Sequence, residues 1–160
     1  MFEKKKIKIP LDEFIDNCLY HPKHGYYMQK VSFGKDGDFI TAPHISKIFS
    51  EMILIWIISA WKNIYRNKKI NIVELGAGNG EMMHQIINTS KRFFNFHKKC
   101  KFIIYEKSPK LINVQKEKLK NEKIKWVKNL EYLESNPTIF LGNEFLDALP
   151  IKQYVKRKKI

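Results

Sequence analysis

The stretch that decides the fold is Val73-Glu74-Leu75-Gly76-Ala77-Gly78-Asn79-Gly80. Before it, Ile70 to Leu75 reads as a strand, and after it Glu81 to Phe94 reads as a helix. A strand that runs into glycines at alternate positions and then into a helix has a physical meaning. The first glycine turns the chain tightly, and the second lets backbone approach a ligand with no Cβ in the way. The helix that starts near Glu81 aims its free N–H groups at a negative group. The alternative is a glycine-rich turn that holds no ligand.

Working outward, short β-like runs alternate with helical ones. Lys101 to Tyr105 is a strand, Pro109 to Lys120 a polar amphipathic helix and Ile124 to Val127 a short strand. Leu130 to Ser135 reads as a turn or short helix, Thr138 to Leu141 as a strand and Ile151 to Val155 as a further strand candidate. This rhythm predicts an α/β fold: a Rossmann-like parallel sheet with helices on both faces, incomplete at its C-terminal edge. Upstream, Leu11, Phe14, Ile15, Cys18 and Leu19 have helical spacing after Pro10. The segment from His21 to about Pro43 has little periodicity but many aromatics. Ser46 to Tyr65 reads as a long, largely buried helix with apolar residues on most of its circumference. Phe93, Phe94 and Phe96 read as core. Two regions follow: residues 1–66, a helical and loop lid, and residues 67–160, a partial cofactor-binding domain.

Composition narrows the class. Of 160 residues, 44% are hydrophobic and 13% aromatic, which marks a folding chain. The net charge of +14 suggests nucleic acid, but only three of the 30 basic residues are Arg. Base and phosphate recognition favours the planar Arg fork, and Lys here is scattered everywhere, so a solvated Lys-rich surface is the expectation. Cys18 and Cys100 lack metal-ligand spacing and read as reduced thiols. His21 and His24 flank a Pro turn with no third ligand at suitable spacing, so no metal is expected. No apolar run approaches the ~20 residues of a spanning helix, and the cytoplasm is the default location.

The ligand can be narrowed further. A dinucleotide fingerprint would need Gly at position 81, where this chain has Glu81. The observed spacing suits a ligand with an amino-acid carboxylate and no pyrophosphate. The next strand ends in Ile104-Tyr105-Glu106, and a carboxylate there accepts from both ribose hydroxyls and repels a 2′-phosphate. S-adenosyl-L-methionine satisfies both ends, with its amino-acid part at Gly76, Gly78 and Gly80 and its ribose on Glu106. Glu74 is a candidate partner for the ammonium, or else a structural carboxylate. Asn143-Glu144-Phe145-Leu146-Asp147-Ala148-Leu149-Pro150 follows the last strand and faces the same crevice. Its polar groups bind substrate beside the methyl group, or else Asn143 or Asp147 caps a helix.

On these residues the sequence is similar to the MidA-like family of class I methyltransferases, which includes a mitochondrial complex I assembly factor. The matching pieces also include Leu19-Tyr20-His21-Pro22-Lys23-His24-Gly25-Tyr26-Tyr27-Met28, Gly37-Asp38-Phe39-Ile40-Thr41-Ala42-Pro43-His44-Ile45-Ser46 and Tyr105-Glu106-Lys107-Ser108-Pro109. The chain departs from the family pattern at three places. His44 stands where Glu is common, Ala77 where Pro is usual, and Lys128-Asn129 where the family carries an acidic residue for the adenine amine.

The resemblance implies methylation of protein arginine from S-adenosyl-L-methionine, with a complex I subunit as target in mitochondria as the alternative location. Glu144, assisted by Asp147, would hold the guanidinium, with Asn143 shaping the methyl pocket and Asn129 near the adenine. Tyr26, Tyr27, Asp38 and Thr41 would belong to the lid, with ordinary packing as the alternative for the two tyrosines. Family members are much longer, so an absent C-terminal half, or a second copy, is expected at the open sheet edge. The rival reading is a non-catalytic cofactor-binding or assembly fragment. A nicotinamide dehydrogenase is disfavoured by Glu81.

Overall fold

The structure, a computed structural model, describes residues 8–29 and 37–156. Part of the aromatic loop segment, Phe33 to Asp36, and the basic residues before Lys8 lie outside that range. Four strands form one parallel sheet: β1 (Ile70–Leu75), β2 (Cys100–Tyr105), β3 (Ile124–Val127) and β4 (Thr138–Leu141). Their order is β3-β2-β1-β4, so β1 is central and the direction of winding reverses between β1 and β4. In such sheets the crevice at the carboxyl ends of the strands beside that reversal is where ligands sit. Register pairs Leu75 with Tyr105 and Glu74 with Leu141, which brings the ends of β1, β2 and β4 together.

Helices α1 (Leu11–Tyr20), α2 (Tyr26–Gln29), α3 (Ala42–Ile45) and α4 (Lys47–Asn63) precede the sheet. Between strands run α5 (Glu81–Ser90), α6 (Phe94–His97) and α7 (Pro109–Lys118). Single 3₁₀ turns, Leu130–Tyr132 and Leu146–Ala148, flank β4.

One face of the sheet, through Ile70, Ile72, Phe102, Ile104, Ile139 and Leu141, packs on Leu54, Ile57 and Trp61 of α4 and on Met83, Ile86 and Ile87 of α5. α4 therefore belongs to the packed body, although the division at residue 66 places it in the lid. The other face carries a smaller cluster of Val73, Ile103 and Val127 under Leu75, Tyr105 and Leu133. Among the described residues, a loop supplies that cover where the alternating pattern predicts helices on both faces.

Three further expectations are corrected. Ile151 to Val155 has no regular secondary structure and joins no sheet among the described residues, and Tyr154 and Val155 are almost fully exposed. α4 buries only one side, leaving Ile48, Met52, Ile55 and Trp56 exposed. Of the three phenylalanines read as core, Phe96 is buried against Trp61, whereas Phe93 and Phe94 face outward.

Candidate active site

The three turn glycines all take the left-handed conformation, with φ of +62° at Gly76, +55° at Gly78 and +81° at Gly80. At Gly76 space is also limiting, because a Cβ would come within 2.7 Å of the Phe145 ring. The turn closes on itself through Gly80 N–H to Ala77 C=O at 2.7 Å and is tied to β2 through Gly76 N–H to Tyr105 C=O. Among the described residues the amides of Ala77, Gly78 and Asn79 have no acceptor. Free amides at the start of a helix form an anion cradle.

Two clefts open on either side of this turn. The first is lined by Gly76, Gly78, Tyr105 and Glu106 below and by Tyr20, Tyr27, Phe145 and Leu149 above. The second is lined by Thr41, His44, Glu74, Gly76, Gly78, Asn143 and Glu144. Gly76, Gly78 and Glu144 face both.

Glu106 is buried at the end of β2, and burial raises its pKa. Its Oε1 accepts from the Lys107 and Ser108 amides, each at 2.9 Å, and its Oε2 from Gln115 Nε2 at 3.3 Å. The local contacts make it a cap for α7, yet Oε2 keeps acceptor capacity toward the first cleft. Glu74, only 4% exposed, is more unusual. Burial raises its pKa to about 8, with the Met83 amide opposing the shift and the nearby Glu106 charge adding to it. Its Oε2 is buried without a hydrogen-bond partner. A buried carboxylate oxygen with no partner, on the wall of a cleft, is what a cationic ligand group would complete.

Glu144 also has a left-handed backbone, φ +50°, which is uncommon outside glycine and Asn/Asp and recurs at functional sites. It lines both clefts, and Asn143 Nδ2 approaches its Oε1 at 3.5 Å. Asp147 is exposed and lines neither cleft, but its charge and that of Glu144 both act on Tyr27, whose pKa is raised first by burial and then by Asp147. These three residues therefore share one rim. Tyr26 donates to Asp38 Oδ2 at 2.5 Å and stacks edge-on against Tyr27, so the lid residues form one aromatic cluster. Thr41 is buried in the wall of the second cleft.

Asn129 is not brought in. Its Oδ1 caps the following 3₁₀ turn by accepting from the Glu131 amide at 3.0 Å, and its Nδ2 donates to the Glu131 carboxylate at 2.9 Å, so both ends of the amide are used locally. It lines neither cleft.

Four contributors escape the sequence reading. Tyr20 roofs the first cleft, donating to Ala148 C=O at 2.7 Å, and its pKa is raised to about 12, chiefly by burial. Lys107 stacks its ammonium over that ring at 5.6 Å. Gln115, fully buried, links the turn to Glu106 by donating to Gly78 C=O at 2.9 Å and to Glu106. The available signal was a polar residue on the apolar stripe Leu111, Gln115, Leu119. The fourth is the His44–Asn79 contact at 3.0 Å. The H-P-x-H-G-Y-Y string also acquires a reason: a Cβ at Gly25 would lie 2.4 Å from the His21 backbone nitrogen.

Among known proteins, residues 52–160 match a family described as "Putative S-adenosyl-L-methionine-dependent methyltransferase". The protein arginine methyltransferase NDUFAF7, mitochondrial, of Xenopus laevis is 29% identical over 94% of this chain and 40% of its own length. The Caenorhabditis elegans homolog is 33% identical over 92% of this chain and 40% of its own. A superfamily member from Burkholderia thailandensis, crystallised with S-adenosyl-homocysteine, superposes with a TM-score of 0.72 at 25% identity over 89% of this chain and 38% of its own. The chain thus spans about two fifths of the length of the curated relatives it matches. With the glycine turn and both carboxylates inside the matched residues, the chain belongs to this family of S-adenosyl-L-methionine-dependent methyltransferases.

Proposed function

We propose that this chain forms the cofactor-binding part of a protein arginine methyltransferase that uses S-adenosyl-L-methionine. The observation that carries the reading is Glu74: a buried carboxylate with an unpartnered oxygen beside an anion cradle. Together they offer one group for an ammonium and one for a carboxylate, the two ends of an amino acid. Glu106 supplies an acceptor for ribose hydroxyls in the adjoining cleft.

When bound, the cofactor supplies an electrophilic methyl group that a nucleophile takes by in-line displacement, so alignment is the protein's main task. Glu144 holds the guanidinium as an acceptor, Asp147 adds negative charge at the rim, and Asn143 borders the methyl position. Tyr20, Tyr27 and Phe145 exclude water from above the first cleft. The relatives named as arginine methyltransferases support this choice of nucleophile, and a complex I subunit is the corresponding protein substrate. Their mitochondrial names favour that location over the cytoplasmic default. Among the described residues no helix is long and apolar enough to cross a membrane.

The test is calorimetric titration of the chain with S-adenosyl-homocysteine in two buffers of different ionisation enthalpy. Because Glu74 must ionise to meet an ammonium, binding at pH 7 releases close to one proton. A wild-type chain that shows no binding at millimolar ligand overturns the reading. The second reading, a non-catalytic cofactor-binding or assembly fragment, is favoured by the apolar side of α4 and the open β4 edge. Binding without methyl transfer to arginine peptides supports it.

A further inference from the structure

α3 carries a relay that none of the cofactor contacts above requires. Thr41 Oγ1 lies 2.9 Å from His44 Nδ1, and His44 Nε2 lies 3.0 Å from Asn79 Oδ1. The same Asn79 oxygen accepts the Glu81 amide at 3.2 Å. An amide N–H can only donate, so Asn79 presents its carbonyl oxygen, and the ring nitrogen facing it must carry the proton. In the neutral imidazole Nδ1 is then the lone-pair nitrogen, and the buried Thr41 hydroxyl is the donor to it. The Asn79 oxygen thus accepts from both His44 and the Glu81 amide, and in the neutral ring the Thr41 bond has one direction as well. A separate tie, Gln85 Nε2 to Pro43 C=O at 2.9 Å, anchors the same segment to α5 without His44.

We infer that His44 is a positioning residue: through Asn79 it fixes the start of α5 and so presents the turn amides in one arrangement before any ligand arrives. Asn79 sits between Gly78 and Gly80, both at positive φ, where the backbone has the most freedom to lose. A side-chain strut from α3 removes that freedom in advance, which is the general route by which preorganisation improves affinity. The effect on ligand binding rests on the cofactor reading above, whereas the relay itself does not.

Two measurements on the whole chain separate them. Nitrogen-15 NMR of the imidazole is expected to show the neutral Nε2–H tautomer for His44, and Thr41→Val is expected to shift the ring toward a mixture. His44→Ala is expected to speed exchange of the Glu81 amide and to weaken S-adenosyl-homocysteine binding, each by about fivefold to tenfold. His44→Gln, whose amide nitrogen reaches as far as Nε2, is expected to keep both within about twofold. In an Asn79→Ala background the His44→Ala effect disappears. An Nδ1–H tautomer in the wild type, unchanged Glu81 exchange in His44→Ala, or failure of His44→Gln to rescue overturns the inference. If His44→Ala does not fold, the tautomer and the Gln variant still decide it. A wild type that binds no S-adenosyl-homocysteine overturns the cofactor reading instead, and the tautomer and exchange data still judge the relay.

Discussion

Glu74 has its ordinary pKa of 4.5 when unfolded and about 8 when buried, so between those values the native chain binds a proton that the unfolded chain does not. The stability associated with its neutral form is complete below about pH 4.5 and is lost as pH rises through about 8. Glu74→Gln should therefore raise the thermal midpoint by a few degrees at pH 9 and change it little at pH 4. Circular dichroism melts at the two pH values check this, and an equal shift at both would contradict it. Gly76 is constrained twice, by φ of +62° and by the Phe145 ring 2.7 Å from any Cβ. Gly76→Ala should cost about 1–3 kcal/mol, measured by urea unfolding. Adding Phe145→Ala should relieve the contact but not the backbone strain. Full recovery in the double variant would show that φ is not limiting.

At the scale of elements, α7 is held at its start by Ser108, which is buried and whose Oγ accepts the Leu111 amide at 3.3 Å. Ser108→Ala should cost about 1 kcal/mol by chemical denaturation, with the larger effect on amide exchange in α7 than in α5. That helix, like β1 to β4, was legible in the sequence because its period and its Ser-Pro start agree. Glu106 and the glycine turn were legible because parallel strands place their carboxyl ends side by side. Ile151 to Val155 was not, since β-propensity expresses itself only where a neighbouring strand and a packed face exist. Asn129 stands apart from both clefts because a short amide side chain next to a backbone amide spends itself locally, here on Glu131. α4 reads as largely buried because apolar residues cover most of its circumference, and only the packed body shows that one side stays open.

For the whole molecule, that open side matters. Met52, Ile53 and Trp56 of α4 join Phe140 and Leu141 of β4 along one apolar trough. A patch of this kind next to a strand edge that no described residue pairs promotes association. The isolated chain should therefore form concentration-dependent oligomers in sedimentation velocity runs. Replacing Trp56 and Phe140 by Lys should reduce them while leaving the cofactor turn folded, because both side chains are already about half exposed. The hydrogen bond from Tyr20 to Ala148 has a different consequence. It joins residues separated by 128 positions, with the entire sheet between them. On a ribosome the glycine turn can order as soon as β1, α5 and β2 have emerged, but the roof over the first cleft must wait for the segment after β4. Contacts of such long sequence separation form late because loop closure precedes their reward. The nascent protein thus passes through a stage in which its sheet is built and its ligand chamber is still uncovered.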